Sequence, residues 1–173
     1  MASGDTLLIF TALHNEPPDA DFATLDTILT TSTDEPDDYV PVLDFDPGST
    51  QEYASFAAHM PRHYDGGGLT VTLIWTSEAT SGDVKWDVAF KAFADSANLL
   101  SKTYAAVNTV TTTTDGVARD INTSVITFTD GADMDSIAAG EYFRMLVTRD
   151  GADAADTMNS NDAELISVEI RET

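Results

Sequence analysis

The chain of 173 residues has no cysteine, only 8 lysines and arginines against 30 aspartates and glutamates, and no long apolar run. Without cysteine there is no disulfide framework, no thiol nucleophile and no thiolate metal site. The scarcity of basic residues excludes nucleic acid as a partner, because binding phosphates takes a Lys/Arg cluster that displaces counterions, and the formal net charge is -22. Anionic membranes are repelled for the same reason. No stretch approaches the roughly 20 apolar residues of a membrane helix. The opening MASGDTLLIF lacks a basic segment followed by an apolar one, so no signal peptide is expected. The catalytic signatures are missing too: no G-x-S-x-G elbow, P-loop, dinucleotide fingerprint or H-E-x-x-H, and only three scattered histidines, His14, His59 and His63. Glycoside hydrolysis needs two carboxyls facing one cleft, and among so many acids no pair is marked out by spacing. The protein is therefore not expected to be an enzyme.

What is present is a core-forming chain: 42% of its residues are hydrophobic, and its length suits a single domain over residues 1–173. Its acids are spread along the whole length, which suits either a salty environment that screens self-repulsion or ordinary solubility. The apolar period is two. Leu69, Val71, Leu73 and Trp75 alternate with Thr70, Thr72 and Thr76, and Val84, Trp86, Val88 and Phe90 alternate with Lys85, Asp87 and Lys91. Such segments are half-buried strands, and the short link Ser77–Gly82 predicts that these two form an antiparallel hairpin. The same pattern predicts strands over 6–12, 22–30, 40–46, 52–60, 107–113, 121–129, 141–149 and 164–171. Only Asp133–Gly140, with Asp135 or Ser136 as a cap, suggests a helical turn. An all-β, antiparallel β-sandwich of the jelly-roll kind follows.

Candidate sites are few. In Met60-Pro-Arg-His-Tyr-Asp-Gly-Gly-Gly68, His63 and Asp65 could serve as a base and its orienter, and His63, Tyr64 and Asp65 could contact a ligand. The competing reading is a wide turn supplied with positive-φ glycines, and it is the stronger one because no nucleophile lies at a recognisable spacing. The loop from Asp150 to Asp162 offers Asp150, Asp153, Asp156 and Asp162 as oxygen ligands for calcium, without matching an EF-hand loop; solvated acids are the simpler account. Tyr53, Tyr64, Phe93, Tyr104 and Tyr142 fall off the inner faces of the expected strands. Exposed aromatics of this kind pack within the fold, fill an interface or stack on sugar rings. Asn122-Thr-Ser124 fits a glycosylation sequon inside a strand, which reads as coincidence.

Several phrases carry a resemblance: Phe22-Ala-Thr-Leu-Asp26, Pro41-Val-Leu-Asp-Phe-Asp46, Met60-Pro-Arg62 with the glycine turn and Leu69–Trp75 after it, Ala79-Thr-Ser-Gly-Asp-Val-Lys-Trp86, and Ala163–Glu172. From about Phe22 onward the chain resembles short virion structural proteins of tailed phages and environmental viruses, departing from them in the acidic run Asp34–Asp38. The resemblance implies a β-sandwich on the virus particle and no catalytic residues. The expectation is a non-enzymatic capsid (head) decoration protein, made in the host cytoplasm. It would assemble as a symmetric oligomer such as a trimer, bind the major capsid protein or other virion proteins, and need no cofactor. The alternative is a carbohydrate- or receptor-binding module of a tail or fibre. There the loops around His63-Tyr64 and Asp150–Asp162 would hold a sugar, with calcium if one is bound.

Overall fold

The computed structural model describes residues 4–31, 33, 35–48 and 50–173. Among the described residues ten strands form: β1 (Thr6–Thr11), β2 (Thr24–Leu29), β3 (Tyr39–Phe45), β4 (Gln51–His59), β5 (Leu69–Thr76), β6 (Asp83–Phe93), β7 (Asn108–Thr113), β8 (Asn122–Phe128), β9 (Tyr142–Asp150) and β10 (Ala163–Glu172). They build two sheets. A six-stranded sheet runs β2-β3-β10-β5-β8, with β1 also paired to β10, and a four-stranded sheet runs β4-β9-β6-β7. All of these strand pairs are antiparallel. From β3 onward each strand is followed by one in the opposite sheet, except that β7 follows β6 within the same sheet. That winding is the jelly roll the strand pattern predicts.

Alternation decides which side chains fill the space between the sheets. Leu69, Val71, Leu73 and Trp75 of β5 face Val84, Trp86, Val88 and Phe90 of β6 and are almost wholly buried. Removing each such side chain from water stabilises the fold by about 1.5–3 kcal/mol. Aromatic rings meet edge to face across the core: Trp75 and Trp86 at 5.9 Å, Phe45 and Trp86 at 5.0 Å, Phe90 and Phe128 at 4.8 Å between centroids.

Two local expectations are corrected. β5 and β6 are not a hairpin. β5 pairs along its whole length with β10 and β8, while β6 pairs with β9 and β7. Alternation shows which side chains face a core but not from which sheet, and the two tryptophans approach each other from opposite sides. The link between them is tied elsewhere, since the Ser77 hydroxyl donates to the Asp162 carbonyl at 2.8 Å. Near Asp133, only a single 3₁₀ turn forms, over Ala132–Met134. Asp135 and Ser136 follow it in the left-handed region, at φ 57° and 55°. Instead of capping, the Asp135 carboxylate accepts from the Ala92 backbone N–H at 2.7 Å and pairs with Lys102 at 2.8 Å.

In the acidic run between β2 and β3, Asp34 lies outside the described residues. Beside it, Asp38 is fastened to Thr30 by two hydrogen bonds, of 2.8 and 2.7 Å.

Candidate carbohydrate groove on the four-stranded sheet

The outer face of the four-stranded sheet is organised by its register. Reading across β4, β9 and β6, one row holds Tyr53, Thr148 and Asp87, and the next holds Ser55, Leu146 and Ala89. A third row holds Ala57, Arg144 and Lys91, and a fourth His59, Tyr142 and Phe93. Their strand neighbours Ala54, Phe56, Phe143, Met145, Val147, Val88 and Phe90 point into the core.

Two irregular segments wall this floor. On the β4 side, residues 15–23 run along the strand edge. The Asn15 side chain accepts from Ser55 N at 3.0 Å, Glu16 N donates to Ser55 O at 2.8 Å, and Tyr53 N donates to Asp21 O at 2.8 Å. Ala23 N completes the seam by donating to Tyr53 O at 3.0 Å. On the β6 side, the loop after β6 is held by a bond from Ala105 N to Phe90 O at 2.8 Å, which brings Tyr104 over Lys91. The groove between the walls has a volume of about 450 Å³ and is lined by Tyr53, Ser55, Lys91, Tyr104, Arg144 and Leu146, with Glu16, Asp19 and Asp21 on the β4 wall. A smaller hollow of about 220 Å³ continues it past Tyr53 and Leu146 toward Gln51, Asp87 and Thr148. From the Arg144 row to the Thr148 row the floor spans about 13 Å, at ~3.3 Å per strand residue.

The polar groups are held in place. Arg144 donates to Glu16 at 2.6 Å, to the Ser55 hydroxyl at 3.0 Å and to the Tyr142 hydroxyl at 3.3 Å. The Tyr53 hydroxyl donates to Gln51 at 2.8 Å. The ammonium of Lys91 lies 4.3 Å from the Tyr104 ring centroid and 5.9 Å from that of Phe93. Burial, and then the charge of Arg144, hold its pKa below the usual lysine range. Beyond Arg144, Tyr142 packs against Phe93 at 5.4 Å and His59 at 5.5 Å. Aromatic faces, planar donors and hydroxyls at one groove suit a ring-shaped, polyhydroxylated ligand.

Of the five outward aromatics, four thus share this face. The fifth, Tyr64, is only 4% exposed, its hydroxyl donates to the Gly67 carbonyl, and burial pushes its pKa up to about 12. Its neighbour Asp65 donates its backbone N–H to the Glu172 carboxylate at 3.1 Å, as Gly67 does at 3.2 Å. At Gly68 a Cβ would come within 2.5 Å of the Phe128 carbonyl oxygen, and Gly66 has φ +88°. His63 is exposed, so the segment is a folded corner that presents one histidine, while its tyrosine serves the core.

The carboxylates considered for calcium separate. Asp156 is bound in two places by the fully buried Arg149, at 3.0 Å each, and Asp150 and Asp153 share Lys85 at 2.9 and 2.8 Å. Asp162 lies near Asp46 and Glu78, where burial, and then Asp46, push its pKa up. Among the described residues no three acidic, histidine or cysteine side chains gather as a metal site. The Asn122 side chain is buried and hydrogen-bonded to Asp115 N and Asp120 O.

The fold and this face define a β-sandwich with a groove across one sheet. In overall structure the chain is similar to a candidate sugar binding protein from Bacteroides thetaiotaomicron VPI-5482, at 9% identity and a TM-score of 0.48, over 96% of this chain and 88% of that one. It is also similar to a family 16 carbohydrate binding module, at 16% identity and a TM-score of 0.38, over 91% and 94% of the two chains. A third similarity is to the enzymatically active domain of tailspike protein 4 of bacteriophage CBA120, at 12% identity and a TM-score of 0.38. It covers 94% of this chain but only 19% of that one. No protein-family model and no curated protein sequence matches the chain, so the resemblance to virion structural proteins rests on its phrases alone.

Proposed function

We propose that the protein is a non-catalytic carbohydrate-binding module that lays a short stretch of glycan across the outer face of β4, β9 and β6. The observation that carries this reading is the meeting of Tyr53, Tyr104 and Tyr142 with Arg144, Lys91 and Ser55 on one face, flanked by two walls. Tyr53 is the anchor, because it joins the groove and its smaller continuation. Truncating an aromatic hot spot at a recognition site costs about 2 kcal/mol or more. Tyr53→Ala is therefore expected to weaken glycan binding at least about tenfold, while circular dichroism and the melting midpoint stay near those of the parent. A glycan array and isothermal titration provide the measurement. If Tyr53→Ala, Tyr104→Ala and Tyr142→Ala all bind as the parent does, the groove is not the site.

Display of such a module on a virus particle, as decoration or as part of a tail or fibre, is a further proposal that rests on the phrase resemblance. Its support would be co-purification with particles.

A further inference from the structure

The protein has eight lysines and arginines, and six of them are neutralised within the fold. Lys85 pairs with Asp150 and Asp153, Lys102 with Asp135, Arg119 with Glu78 and Glu164, Arg144 with Glu16, Arg149 with Asp156, and Arg171 with Glu169. Among the described residues, Arg62 and Lys91 have no carboxylate partner. Arg62 is exposed at the corner before Tyr64. Lys91 is different. It lies on the floor of the groove between the two walls, partly withdrawn from water, close to two aromatic rings and beside Arg144. In a chain with 30 acids, an ammonium on the β6 side of a groove with no carboxylate partner among the described residues sets Lys91 apart from the six paired cations.

From this placement we infer that the groove selects an anionic glycan, one bearing a carboxylate or sulfate on the sugar ring, with Lys91 pairing to the anionic group and Arg144 beside it. The inference rests on the carbohydrate reading of the same groove and narrows it to a ligand class. The geometry also fixes the direction of the ligand. Asp19 and Asp21 stand on the β4 wall, Lys91 on β6 and Arg144 on β9 between them, so the anionic group that meets the protein faces the β6 side. Glu16 is already engaged by Arg144 and adds no free anion at the floor. Pairing with an anion would also relieve the position of Lys91, whose charged form is disfavoured by burial and by Arg144. The net charge of -22 opposes any anion at long range. At about 0.15 M salt the screening length is ~8 Å, so distant acids fade while a direct contact at Lys91 persists.

Two matched pairs of probes test this at physiological salt: polygalacturonate against highly methyl-esterified pectin, and dextran sulfate against dextran. The parent is expected to prefer the charged member of at least one pair, and which pair it is distinguishes carboxylate from sulfate. Lys91→Gln should lower the ratio of charged to neutral affinity about tenfold, since an ionic hydrogen bond is lost, and Lys91→Arg should restore it. Equal binding of charged and neutral probes by the parent, or an unchanged ratio in Lys91→Gln, overturns the anionic inference while the carbohydrate reading stands. Absence of binding to every probe and to a broad glycan array removes both.

Discussion

Replacing Asp156 by asparagine keeps the size of the side chain and removes one charge from a pocket where Arg149 has 0% of its side chain exposed. All five guanidinium N–H groups can be accounted for there. Nε and one Nη2 hydrogen go to the two Asp156 oxygens, Nη1 serves the Phe45 and Asn161 carbonyls, and Nη2 also serves the Met158 carbonyl. In Asp156→Asn the cation stays buried without a counterion, and an amide N–H2 faces a guanidinium N–H. Breaking a buried pair in this way costs about 3–5 kcal/mol, a fifth or more of a typical domain's total of roughly 5–15 kcal/mol. With a urea m-value near ~2 kcal/mol/M, the unfolding midpoint should fall by about 1.5–2.5 M. Asp153→Asn provides the contrast. That carboxylate is 38% exposed and Lys85 keeps Asp150, so its midpoint should stay close to the parent's. The double variant Arg149→Met, Asp156→Leu should recover much of the loss, because it removes both charges together. Urea unfolding followed by tryptophan fluorescence reads all four proteins, with and without millimolar calcium. A midpoint for Asp156→Asn within a few tenths molar of the parent would refute the buried-pair account. A midpoint of the parent that rises with calcium would return these acids to a metal-binding role.

Asp44 should shape the pH dependence of stability. Burial, and then Glu164 and Asp26, raise its pKa from 3.8 to about 7 in the folded protein. Between those values the folded state keeps a proton that the unfolded chain has lost, so the stability Asp44 contributes is fully present below about pH 4 and is lost as pH rises through about 7. Glu52, Asp87 and Asp162 are raised as well and act in the same direction. Asp44→Asn should flatten the decline in melting temperature over that window, and an unchanged slope would contradict the assignment. For assembly, the charge of -22 predicts a monomer of 18.5 kDa by light scattering in low salt. A stable trimer there would move the weight to particle decoration.

Strands were legible where apolar and polar residues alternate, so period two is written directly into segments such as Leu69–Trp75 and Val84–Phe90. Which sheet each strand joins was not, because Trp75 and Trp86 satisfy the same alternation as neighbours on one sheet or as partners across the core. The groove was half legible. Tyr53, Phe93, Tyr104 and Tyr142 stand out as outward aromatics in the sequence, but only the registers of β4 and β6 against β9 place three of them with Lys91 and Arg144. Tyr104 arrives from a loop whose path no periodicity describes. Tyr64 misled for a related reason: a glycine-rich turn reads as exposed, yet this one folds its tyrosine inward onto Met134. Asp156 looked like one more solvated acid, because its claim on Arg149 depends on how the loop after β9 doubles back over the strand.

The position of β10 matters before the protein is folded at all. It hydrogen-bonds to β1, β3 and β5, so the six-stranded sheet closes on residues 163–172, which leave a ribosome long after β1 does. Until then three strands wait without their central partner, and sheets built from such distant pairings form slowly, over about milliseconds to seconds. Open strand edges invite pairing with other nascent chains. Asp26 on β2, Asp44 on β3 and the acids spread along the rest of the chain give every unfinished copy the same sign of charge. The surplus of acid thus acts first as a spacer between growing polypeptides.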